Sequence, residues 1–142
     1  MLVGAACASL AGCGPSEFVG TYVGRAVESS SLTVRTPAGD AKNEAPPREK
    51  LDEQVVVTAE RGVLTVRFGD CTLKGRAASG GIAVLKGLCP VRTGALEQPI
   101  PMSATLSLPA RNVKRPRLDV TGLLDQGSST VRYSYEFEGD KR

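Results

Sequence analysis

Four cysteines and a thin scatter of carboxylates are the residues of this chain best suited to chemistry. The cysteines are Cys7, Cys13, Cys71 and Cys89; the carboxylates nearest strand-like stretches are Asp70, Asp119, Glu136 and Glu138. Histidine is absent from all 142 residues. That removes the commonest general base and the commonest transition-metal ligand. Ser-His-Asp triads, Cys-His pairs and histidine-bearing zinc sites go with it. The chain has no Gly-x-Ser-x-Gly elbow, phosphate loop or metal-ligand spacing. It has no Cys-x-x-Cys redox pair either. We therefore expect no catalytic residue, no metal, no cofactor and no enzymatic activity. What remains is how the cysteines pair, and that depends on the strands carrying them.

Valine, leucine, threonine and glycine are plentiful and long helical patterns are lacking, which favours an all-β domain. Alternation is clearest beyond Leu51, where hairpins can be tested by register. Around the Arg61-Gly62 turn, Ala59 opposes Leu64, Val57 opposes Val66 and Val55 opposes Phe68. One face is then wholly apolar, as a correct register requires. A second hairpin, looped at Ser79-Gly80-Gly81, sets Leu73 against Gly87, Gly75 against Leu85 and Ala77 against Ala83. The same register sets Cys71 against Cys89. Directly opposed residues of a non-hydrogen-bonded pair come within ~4.5 Å Cα to Cα, at the short end of the disulfide range, ~4.4–6.8 Å. Thr72, Lys74, Arg76 and Lys86 fall on the outward face. A third hairpin pairs Leu124 with Ser129, Gly122 with Val131, Val120 with Tyr133 and Leu118 with Tyr135, leaving Asp119, Arg132 and Glu136 outside.

Elsewhere Phe18–Val27 reads as a strand, Ser29–Ser31 as a turn and Leu32–Thr36 as a further strand. Residues 37–50, polar and broken by Pro46-Pro47, read as an exposed, mobile loop. Val91–Gln98 is a connection, and Pro99–Leu108 resumes alternation. Arg111–Arg117 is a basic turn with phosphate headgroups as one candidate contact. These eight to nine short strands make an antiparallel up-and-down β-barrel the expected fold, with a β-sandwich as the rival. The length suits one domain, over residues 18–139. The net charge of +3 has both signs interspersed, so no nucleic-acid partner is expected.

The beginning of the chain adds a compartment. Met1–Gly12 is apolar, small and uncharged, like the h-region of a secretory signal peptide. It is too short to span a bilayer, which takes ~20 residues. Leu10-Ala11-Gly12-Cys13 closely resembles the bacterial lipoprotein lipobox. The resemblance implies cleavage before Cys13 and lipid on its sulfur and new N-terminus. Residues 1–12 would be the signal, with the basic start of that signal missing, and residues 13–17 a lipidated tether. More than one acyl chain makes such an anchor stable. Gly14 in place of Asp implies, by similarity to the enterobacterial sorting rule, the outer membrane facing the periplasm. In that oxidising envelope Cys71 and Cys89 are expected to form a disulfide.

Gly20-Thr21-Tyr22-Val23-Gly24, Val55-Val56-Val57-Thr58 and Tyr133–Gly139 together resemble the calycin-like, or lipocalin-like, β-barrel lipoproteins. Tyr22 stands where lipocalins carry the tryptophan of their first strand. Such folds host many functions. The expected function is a non-enzymatic, membrane-anchored interaction or structural module, monomeric, with a filled core. Two alternatives are an apolar-ligand carrier and a periplasmic protein inhibitor. A carrier's pocket would draw on Val57, Val66, Phe68, Leu85, Met102, Leu106, Val120, Tyr133 and Tyr135. The inward set is expected to hold no charge.

Overall fold

The computed structural model describes residues 15–93, 96–110 and 114–142. Cys7, Cys13, Gly14 and the proposed signal lie outside them. A 3₁₀ turn at Pro15–Glu17 leads into eight antiparallel strands: β1 (Gly20–Thr36), β2 (Gly39–Glu60), β3 (Val63–Phe68), β4 (Cys71–Ala78), β5 (Ile82–Thr93), β6 (Leu96–Ser107), β7 (Arg117–Asp125) and β8 (Ser129–Lys141). Each strand pairs with its sequence neighbours, and β1 pairs with β8 to close the barrel. This is the up-and-down barrel rather than the sandwich, and the architecture that the calycin-like resemblance implies.

The inward faces follow from alternation. Val55, Val57, Leu64, Val66, Leu73, Leu85, Leu106, Leu118 and Val120 are buried and belong to one core cluster with Tyr22, Tyr135 and Phe137. The β2–β3 hairpin has Val57 opposite Val66 and Ala59 opposite Leu64, as its pattern predicts. Its turn puts Arg61 at φ 54° and Gly62 at φ 81°, the two positive-φ positions of a type I′ turn. The β4–β5 hairpin has Gly75 opposite Leu85 and Ala77 opposite Ala83.

Four local expectations are corrected. Residues 39–50 are strand rather than loop: Thr36 pairs with Gly39, and β2 runs on against β1. The stretch is exposed as its polarity predicts, because it lies beyond the short β3 and β4 and has no interior to face. Ser29–Ser31 is not a turn; it continues β1, held by β2 on one side and β8 on the other. Val91–Thr93 and Leu96–Gln98 extend the β5–β6 hairpin instead of forming a connection.

The β7–β8 register is shifted by two residues: Leu124 opposes Val131, Val120 opposes Tyr135 and Leu118 opposes Phe137. The turn explains the shift. The Asp125 carboxylate accepts from the Gly127 backbone N–H at 3.0 Å, and Gln126 N–H donates to Ser129 C=O at 2.8 Å. A slip of two preserves every face, so the inward set is unchanged.

Turns of a meander alternate between its ends. The chain entry, the β2–β3, β4–β5 and β6–β7 connections and the C-terminus share one end; the remaining turns share the other. Phe18 plugs the entry end. It is buried, its C=O accepts from the Tyr22 hydroxyl at 2.7 Å, and Lys141 Nζ donates to Glu17 C=O at 3.2 Å. Tyr22 thus helps to seal the floor.

Candidate functional site

The opposite end is open and polar, and strand length is the cause. β3 and β4 are short, whereas the β1–β2 and β5–β6 hairpins project past them. Between the projections lies a cleft with an inner recess of about 170 Å³ and an outer one of about 450 Å³. Glu28, Lys50, Glu53, Phe68, Tyr133 and Tyr135 line the inner recess, with the Cys71–Cys89 bond on its rim. Arg48, Asp70, Arg92 and Glu97 border the outer one.

Glu28 and Glu53 correct the expectation of a charge-free inward set. Glu53 shares the alternation of Val55 and Val57, and Glu28 that of Tyr22 and Ala26. Both carboxylates receive phenol donors. The Tyr135 hydroxyl donates to Glu53 Oε1 at 3.0 Å, and the Tyr133 hydroxyl donates to Glu28 Oε2. Lys50 Nζ lies 3.2 Å from Glu28 Oε1. Tyr135 stacks on Phe68 with ring centroids 4.4 Å apart.

Burial raises the pKa of both phenols above the ordinary tyrosine value. The Glu28 bond adds to it at Tyr133, and the Glu53 charge at Tyr135. Both tyrosines therefore act as hydrogen-bond donors rather than bases. With both phenol protons given to carboxylates, the recess presents phenol and carboxylate oxygens as acceptors beside the Lys50 ammonium, a setting for holding a polar group.

A β-bulge brings Lys50 into this set. Gly24 pairs with Glu53 and Ala26 with Lys50, so Leu51 and Asp52 together oppose Arg25. Asp52 takes φ 55°. Unbroken alternation would turn Leu51 inward with Glu53 and Val55. The bulge turns it out, where it is 67% exposed.

The residues named for an apolar pocket divide between core and mouth. Val57, Val66, Leu85, Met102, Leu106 and Val120 are buried within the core cluster. Phe68, Tyr133 and Tyr135 reach the mouth. The small inward residues do not leave a vacant slot. A Cβ added at Gly122 would sit 2.4 Å from Met102 Sδ, inside the core. One at Gly75 or Gly87 would meet a backbone carbonyl of the adjacent strand, Val84 O at 1.8 Å or Thr72 O at 2.6 Å, where two strands approach closely in the wall.

Cys71 and Cys89 form the expected disulfide, with Cα atoms 4.8 Å apart. Asp119 and Glu136 lie outside the barrel in a cluster around Arg117, with Arg117 Nε 3.0 Å from Asp119 Oδ2. Among the described residues no group of three or more His, Cys, Asp or Glu side chains could hold a metal ion. No protein-family model, curated protein or solved structure matches the chain.

Proposed function

We propose that this protein is a non-enzymatic, lipid-anchored module of the bacterial cell envelope that works by interaction at its polar mouth. One observation carries the reading: the chain enters through a plugged floor, and the cleft opens at the opposite end. A lipid on Cys13 would sit within ~7 Å of Pro15, the reach of two extended residues. The mouth would then point away from the bilayer, toward a partner. The Lys50–Glu28 contact and the phenol bonds occupy both recess carboxylates, an arrangement for recognition rather than proton transfer. The packing of Met102 and Ile100 against Gly122 favours a filled core over carriage of an apolar ligand.

Two measurements test this. Mass spectrometry of the mature protein from a bacterial host should show an N-terminus at Cys13 bearing a diacylglyceryl group and a further acyl chain, lost in Cys13→Ala. An unmodified chain beginning at Met1 would remove the anchor. A photo-crosslinking side chain at Arg48, in the cleft, should give a discrete product in cells, whereas one at Thr121, on the outer wall, should not. Equal products from both positions, or none from Arg48, would remove the mouth as the working surface.

A further inference from the structure

The outer wall formed by β3, β4 and β5 carries cations without counterions. Thr65 opposes Lys74, and Lys74 directly opposes Lys86. Arg67 lies diagonally from Lys74, and Arg76 diagonally from Lys86, in the same registers. Directly opposed side chains on one face have Cβ atoms ~5 Å apart and diagonal ones ~7–8 Å, so the four share one positive field. Arg61, in the β2–β3 turn, extends that field to the floor.

Elsewhere, among the described residues, most cations are matched, and unmatched ones such as Arg48, Lys114 and Arg132 lie on separate segments. Arg25 lies by Glu49, Arg35 by Asp125, Lys42 by Glu44, Arg92 by Glu97 and Arg115 by Asp140. Among the described residues Arg61, Arg67, Lys74, Arg76 and Lys86 make no ion pair. The directly opposed Lys74 and Lys86 repel each other, which costs stability. The other side chains of this face are threonines or apolar. Ile82 and Val84 are 39% and 49% exposed beside Arg76 and Lys86.

We propose that this wall is a peripheral membrane face that binds anionic phospholipid headgroups, with Ile82 and Val84 entering the headgroup boundary. The idea rests on the reading above that the chain is held at an envelope membrane. The β2–β3 and β4–β5 turns of the wall share the floor end with the chain entry, so a short lipid tether leaves this face within reach of the bilayer. Basic side chains next to exposed aliphatic ones suit an interface that is anionic outside and apolar beneath. A soluble polyanion would use the charges and leave the aliphatic pair without a role. The barrel would then lie tilted on this wall at the bilayer, with its mouth directed obliquely away from the surface.

The test uses the full chain as Cys13→Ser, which has no acyl chain, with vesicles of phosphatidylglycerol and phosphatidylethanolamine or of phosphatidylcholine alone. The protein should sediment with the anionic vesicles and not the neutral ones, and added salt should release it. Lys74→Glu with Lys86→Glu should lower partitioning at least about tenfold, given the attraction of each basic group to an anionic leaflet. Val84→Asp should weaken it as well, with all melting curves cooperative. Arg25→Glu with Lys42→Glu, the same charge change on the hairpin, should alter binding by less than about twofold.

Equal binding to neutral vesicles, or equal loss from the two double variants, overturns the proposal. So does binding to heparin without binding to vesicles. The anchor stands or falls separately, because no lipid on Cys13 enters this assay. A lipidated native protein whose wall variants partition unchanged would lose this face alone.

Discussion

The Tyr135 hydroxyl donates to Glu53 Oε1 across the barrel mouth at 3.0 Å, from β8 to β2. With the ring stacked on Phe68, it ties three strands together at the rim of the cleft. Tyr135→Phe keeps the stacking and leaves the carboxylate without this donor. We expect a loss of about 1–3 kcal/mol in urea unfolding, the usual range for a partner removed from a charged acceptor. Tyr135→Phe combined with Glu53→Gln should cost less than the two single changes added together, because they share one bond.

All three tyrosines of the chain have raised phenol pKa values. Burial, followed by the Glu17 charge, pushes Tyr22 up to about 12. A folded pKa above the unfolded one means that the contribution is complete below the unfolded value, near 10. It is lost as pH rises through the folded value. Near-UV absorbance of the native protein should show almost no phenolate at pH 10, whereas the unfolded chain is about half ionised there. Thermal stability should fall as pH rises from 10 to 12. A native titration centred at 10 would contradict the burial and bonding of these rings.

Reduction of Cys71–Cys89, or Cys71→Ser with Cys89→Ser, should lower stability by about 3 kcal/mol through the unfolded chain. For a domain of this size the melting temperature should drop by roughly 10 °C. The bond lies on the recess rim, so near-UV signals from Tyr135 should also change.

Gly122→Ala tests the filled core, since its Cβ would press on Met102 Sδ. Overpacking of this kind costs about 1–3 kcal/mol. Thr121→Ala, one residue away and exposed, should lie within about 0.5 kcal/mol of the parent. A neutral Gly122→Ala would indicate spare room in the barrel.

Asp52→Gly should stabilise the protein by up to about 1 kcal/mol, because Asp52 holds a left-handed conformation at φ 55° that glycine adopts freely. Asp52→Val should cost about 1–3 kcal/mol. It should also disturb the Lys50–Glu28 contact, read out as altered chemical shifts of Tyr133.

Most of the barrel was legible where turn and alternation agree. Arg61-Gly62 and Gly80-Gly81 pinned their hairpins, and Cys71 met Cys89 in the register that the apolar face demanded. Face assignment survived even at β7–β8, where the Asp125 turn moved the register by two. The charged mouth was partly legible: Glu53 follows the parity of Val55 and Val57. Lys50 was hidden, because a bulge reverses parity and Leu51-Asp52 carries no glycine to mark one. Residues 39–50 resembled a loop because pattern-based reading finds strands by a buried face, and this strand has none.

The sequence alone determined that the chain has no histidine, most of the inward faces, the disulfide partners and the strand-forming character of the domain. All of these depend on residue type and on a period of two. Tertiary structure decided how long β1 and β2 run, which carboxylates meet phenols, and that Lys50 rather than Leu51 turns inward. It also gathered Arg67, Lys74, Arg76 and Lys86 onto one wall. The physical reason is common to all four: each depends on a lateral partner strand, and lateral neighbours are set by closure and register, which no single strand encodes.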